Sequence, residues 1–153
     1  MTVLPSTARR IEANTDAATN HCIRRRMQER IQYYASHPEQ IELRLAALDQ
    51  EWDVERAVEA NAAALALTGT LLGLTRHRAW FLMPMVATGF LLQHAVQGWC
   101  PPVPLLRRFG VRTAAEIADE RAALKALRGD FAAIEKMPNA AERANSAYHG
   151  AVA

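Results

Sequence analysis

Lysine is nearly missing from this chain: Lys125 and Lys136 stand against sixteen arginines, a bias that with the abundant alanine reflects genomic composition rather than function. Cysteine is as scarce. Cys22 and Cys100 are the only two, too few for a disulfide framework and without the paired spacing of a zinc site, so both read as free thiols in a reducing compartment. The opening Met-Thr-Val-Leu-Pro-Ser is not followed by the apolar core of a signal peptide. There is no P-loop, no dinucleotide fingerprint, no His-Glu-x-x-His and no Gly-x-Ser-x-Gly. No catalytic residue, cofactor or metal is therefore expected, and the chain reads as a non-enzyme. Net charge is +3 over residues 1–36, −5 over 37–59, +5 over 60–112 and −1 over 113–153. Without a concentrated basic surface to meet a phosphate backbone, no nucleic-acid partner is expected.

The absence with the largest consequence is that of charge. No Asp, Glu, Lys or Arg occurs between Ala60 and Thr75, nor from Ala79 to Leu106. These stretches form an apolar hairpin, residues 60–100, with arms 60–75 and 79–99 around the basic turn Arg76-His77-Arg78. A hydrocarbon core about 30 Å thick takes roughly 20 apolar residues as a helix, so the second arm is long enough and the first marginal. Trp80 and Trp99 are separated by about 28 Å at 1.5 Å per residue, which fits tryptophans at both interfaces. Arg107 and Arg108 follow as membrane-interface cations. In the first arm Ala62, Ala66, Gly69 and Gly73 share a face, and Gly69 to Gly73 is a literal G-x-x-x-G, the small-residue contact surface of membrane helices. Whether it packs within the chain or against another is open, with the intramolecular hairpin preferred. Pro84 is expected to kink the second arm, and the Pro101-Pro102 pair to end it.

Around the hairpin the periodicity predicts an all-α chain. Residues 1–36 read as a basic amphipathic helix over 6–35, with Arg24-Arg25-Arg26 and Arg30 suited to anionic headgroups, although a solvated face on a partner helix is the plainer reading. Ser36-His37-Pro38-Glu39 predicts a capping box. It opens an acidic helix over 37–59 that runs unbroken into the first arm. A Pro/Arg clasp follows at 101–112, then a cytoplasmic helix at 113–137 opened by the box Thr113-Ala-Ala-Glu116 and stopped at Gly129. Residues 138–153 are expected to form a flexible tail. The flanking arginines, Arg76 and Arg78 in the turn against Arg44, Arg56, Arg107, Arg108 and Arg112 on the far side, put both termini in the cytoplasm.

Gly98-Trp99-Cys100-Pro101, then Leu105-Leu106, Phe109-Gly110-Val111 and Thr113, resembles the signature closing the second membrane helix of the YgaP-like inner-membrane domain family, a bacterial domain of largely unknown function. The resemblance covers roughly residues 50 to 115 and implies a bacterial inner-membrane hairpin able to dimerise. Some members carry a fused rhodanese domain handling sulfane sulfur. This chain has no room for one, so sulfur transfer is not carried over.

Cys100 is the candidate thiol, with Arg107 and Arg108 placed to favour thiolate, yet a small buried residue fixing the bend explains it more simply. Gln93, His94 and Gln97 are the candidate polar intramembrane residues. His77 lies 17 residues from His94, about 25 Å along a helix, so only a dimer would pair two histidines at a haem or metal. The expectation is an integral inner-membrane anchor or accessory subunit in contact with the bilayer and with a protein partner or a second copy. A thiol or redox relay through Cys100 and a soluble bundle that buries the hairpin completely are the alternatives.

Overall fold

The computed structural model describes residues 6, 8–134, 137 and 139–152; Met1–Pro5, Thr7, Glu135, Lys136, Pro138 and Ala153, and with them the opening segment and the start of the expected tail, lie outside the described residues. Among the described residues the chain is all-helical, with α1 Arg10–Ala13, α2 Ala17–Ser36, α3 Ile41–Gln50, α4 Val54–Thr75, α5 Leu82–Gln97, α6 Val103–Arg108, α7 Ala114–Arg128 and α8 Ala140–Val152. It divides into two compact units, residues 1–23 with 52–115 and residues 24–51 with 116–153.

The first unit is built on the α4–α5 hairpin. Where one unbroken helix was expected from the acidic segment into the first arm, the chain is extended at Glu51–Asp53, because Asp53 folds back as an N-cap and its Oδ1 accepts from the Arg56 amide at 2.6 Å. Helix α4 then runs 22 residues, about 33 Å. At its far end the Arg76 and His77 amides both return to the Leu72 carbonyl, and His77 Nδ1 accepts from the Ala79 amide at 3.1 Å. A 3-10 turn over Arg78–Phe81 leads into α5. Pro84 does not interrupt the second arm. It is the third residue of α5, where a missing N–H costs nothing. Together, α4 and the Arg78–Gln97 stretch supply two helices long and apolar enough to cross a membrane.

The seam of the hairpin is lined with small residues. A Cβ at Gly69 would sit 2.5 Å from Pro84 Cδ and 2.9 Å from Met83 Cβ, and one at Gly73 would meet the Phe81 ring at 2.9 Å. Ala87 is buried; Ala62 and Ala66 are half-buried. Many of the large side chains point the other way. Leu65, Leu67, Leu71, Leu74, Leu82 and Met85 are all exposed. In the most apolar part of each arm only 17% and 11% of the residues are buried. The hydroxyls of Thr70, Thr75 and Thr88 each bond a carbonyl four residues back at 2.7 Å, so the polar atoms on this surface are satisfied within their own helix.

In the second unit, Ile41, Leu45 and Leu48 of α3 pack with Ile117 and Leu124 of α7, flanked by Tyr34. Glu120 is fully buried in this layer; its carboxylate takes Arg30 Nη2 at 3.0 Å and Arg44 Nε at 2.9 Å. Arg121 pairs with Asp49, and Arg128 with Glu42, at the rim. The expected cap at Ser36 is absent: its hydroxyl donates to the Tyr33 carbonyl, and a 3-10 turn over Pro38–Gln40 starts at His37. Helix α7 begins at Ala114 as the box predicts, and stops where Gly129 (φ 93°) lets the Asp130 amide reach the Lys125 carbonyl. The expected tail is instead helix α8. Asn139 Oδ1 accepts from the Ala141 amide at 3.0 Å, alanines favour the helix, and buried Lys125 donates to the Ala151 carbonyl at 2.6 Å.

Two stability effects are expected. Gly69→Ala overpacks the seam and lowers hairpin stability by about 1–3 kcal/mol, while Gly89→Ala, with nothing within 4 Å of its new Cβ, gains up to about 1 kcal/mol; thermal denaturation in detergent separates them, and equal effects refute the close seam. Glu120→Ala leaves two arginines without their buried carboxylate and destabilises the second unit by about 3 kcal/mol, read as a lowered urea midpoint.

Candidate functional site at the base of the hairpin

The polar residues singled out in the second arm gather where the arms meet the rest of the first unit. The single helix expected over 6–35 breaks at Asn14–Asp16. Asp16 Oδ1 caps α2 by accepting from the Thr19 amide at 2.8 Å. Hydrogen bonding from the Thr19 side chain and then from its amide, with the Arg108 charge as a lesser cause, holds the Asp16 carboxyl below its ordinary value. The break frees α1 to lie across the end of α5. Asn14 Nδ2 donates to the Gln97 carbonyl and to the Arg10 carbonyl, each at 2.8 Å. Beside it Gly98 adopts φ 77°, and a Cβ there would fall 2.7 Å from the Arg10 carbonyl carbon and oxygen. Glycine is thus required twice over, for left-handed backbone and for close approach.

Under this strap lies a core of Ile11, Val54, Val58, Cys100 and Val103, with Leu91, Leu106 and Val111 against it. Cys100 is 5% exposed, and burial pushes its thiol up from the ordinary value. The thiolate expected from neighbouring arginines is disfavoured by this apolar shell. Arg107, expected at the membrane interface, is 1% exposed and structural. Its Nη2 donates to Asn20 Oδ1 at 2.9 Å and its Nη1 to the Val111 carbonyl at 3.1 Å. Asn20 in turn donates to the Glu12 and Thr15 carbonyls at 2.8 and 3.3 Å, locking the α1–α2 corner. Arg108 remains exposed.

His94 is 4% exposed and neither ring nitrogen has a hydrogen-bond partner within the protein; Arg10 and Glu59 are the charges that act on it. Gln93 is half-buried and Gln97 exposed. Trp99 is half-buried at this end, Trp80 39% exposed at the other. His77 belongs to the distant turn, and no cluster of three metal-binding side chains occurs among the described residues. Of the acidic residues near the start of α4, Glu55 Oε2 accepts from the Ala114 amide at 3.1 Å and so caps α7. Asn14, Asn20 and Arg10 are the residues that sequence reasoning missed. The run Asn14-Thr15-Asp16 carried the signal, since it pairs a helix stop with an N-cap.

Comparison with models of protein families, with curated proteins and with solved structures returned no match.

The arrangement is a clasp, and thiol chemistry reports its closure. Cys22, exposed on α2, is expected to react readily with maleimide at neutral pH, and Cys100 slowly. Asn14→Ala removes two bonds at about 1 kcal/mol each and accelerates Cys100 labelling roughly tenfold or more through local opening. An unchanged Cys100 rate would show that the Asn14 strap does not close this core.

Proposed function

We propose that the chain is a two-pass integral protein of a bacterial inner membrane, in which α4 and α5 cross the bilayer and both termini face the cytoplasm. The carrying observation is the inverted hairpin: small residues inside, large apolar side chains outside, and threonine hydroxyls returned to their own backbone. In water an exposed apolar surface of this kind marks a membrane or protein contact; in hydrocarbon it is the ordinary outer face of a spanning pair. The arginine distribution around the spans supports the orientation. The resemblance of Gly98–Thr113 to the YgaP-like signature points the same way. With its thiol buried in the base of the hairpin, the protein is read as an anchor or accessory subunit. The surfaces outside the hairpin, where Leu43 is 76% exposed, engage a protein partner or a second copy.

Alkaline carbonate treatment of membranes is expected to leave the chain in the pellet; recovery in the supernatant overturns the two-pass reading in favour of arms covered by protein. For orientation, Arg78→Cys should react with an impermeant maleimide in intact spheroplasts while Cys22 reacts only after permeabilisation. The reverse pattern would invert the topology.

A further inference from the structure

Helix α6 reverses the usual polarity of a surface helix. It buries the charged Arg107, 1% exposed, and turns Leu105, 57%, and Phe109 just beyond its end, 77%, to the outside. Val103 and Leu106 supply its contact with the core, and Arg108 stands exposed between the two outward apolar residues. The same pairing recurs at the start of α4, where Trp52 is 53% exposed and the Arg56 guanidinium lies 4.7 Å from its ring centroid. Both features belong to one end of the hairpin. The Val54 amide donates to the Arg112 carbonyl at 2.9 Å, and the Ala114 amide to Glu55, so the Trp52–Arg56 segment is tied to the chain that leaves α6.

We propose that Leu105–Phe109, together with Trp52 and Arg56, forms a collar that lies in the headgroup layer of an anionic leaflet, Leu105 and Phe109 reaching the acyl boundary and Arg108 and Arg56 the lipid phosphates. This rests on the two-pass reading. Two observations choose a lipid surface as occupant. Leu92 and Val96 of α5, a few residues earlier in the chain, are exposed apolar residues as well, and no Asp or Glu occurs in 60–112, so Arg108 is flanked in sequence by apolar groups and by no carboxylate. Large apolar residues flanked by arginine, on a short segment at the end of a span, have the composition of an interfacial element. Basic residues at such a level gain from anionic lipid.

The test uses the full chain with Cys22→Ser, reconstituted in phosphatidylcholine vesicles with a minor share of phosphatidylglycerol. Nitroxide labels are placed singly at Leu105→Cys, Arg108→Cys and Phe109→Cys, and the Cys22→Ser chain alone gives the background from buried Cys100. The collar predicts that oxygen collisions dominate over those with an aqueous nickel chelate at 105 and 109, and the reverse at 108. It also predicts that Arg108→Glu shifts the label at 109 toward the chelate. Labels at 105 and 109 that meet the chelate as freely as 108, in vesicles whose protein resists carbonate, overturn the collar and leave the hairpin standing. Release by carbonate overturns both. Labels shielded from both reagents place a protein on this face and overturn the lipid assignment.

Discussion

Close backbone approach at Gly69 and Gly73 is the constraint on which the first unit depends. With no Cβ at either position, α4 accepts the Pro84 ring, Met83 and the Phe81 ring directly against its axis. The seam near Gly69 and Gly73 is thereby filled with backbone, the Pro84 and Phe81 rings and Met83, and Leu65, Leu67, Leu71 and Leu74 lie on the outer surface. They are displaced to the outer surface by the same geometry that brings the arms together. A pair joined through large interdigitating side chains would have hidden those residues.

The base of the hairpin obeys different chemistry. There the polypeptide returns to ordinary water-soluble packing, with Ile11, Val54, Val58 and Val103 inside. Polar side chains, Asn14, Asn20 and Arg107, bond to backbone carbonyls or to each other. The second unit holds its own core around Glu120, whose carboxylate satisfies two guanidinium groups at once. Buried ion pairs of this kind contribute little net stability but penalise any packing that separates the partners, so they specify which faces of α2, α3 and α7 meet.

The legible parts of the sequence were those in which one residue type decides alone. Charge-free runs marked α4 and α5; Gly129 marked the end of α7, because only a left-handed residue closes that turn. Boundaries set by competition were hidden. Asp53 and Asp16 are acidic residues within helix-like periodicity, and they become caps only because extended segments beside them find tertiary partners. Pro84 read as a kink since nothing local shows that a 3-10 turn delays the start of α5 to Leu82. Arg107 read as an interfacial cation because solvation is the default for arginine; Asn20, 87 positions earlier, is what draws it inward. Residues 140–152 read as a tail because they are polar and alanine-rich, with no large apolar stripe, although Lys125 supplies a tertiary anchor.

The strap bond from Asn14 to Gln97 spans 83 positions, which orders events during synthesis. At about 5–20 residues per second, the segment carrying Asn14 leaves the ribosome several seconds or more before its acceptor exists. It therefore waits for that partner while α4 and α5 are made. Closure over Gly98 thus comes late: Asn14 is secured only once Gln97, 83 positions further on, has been made.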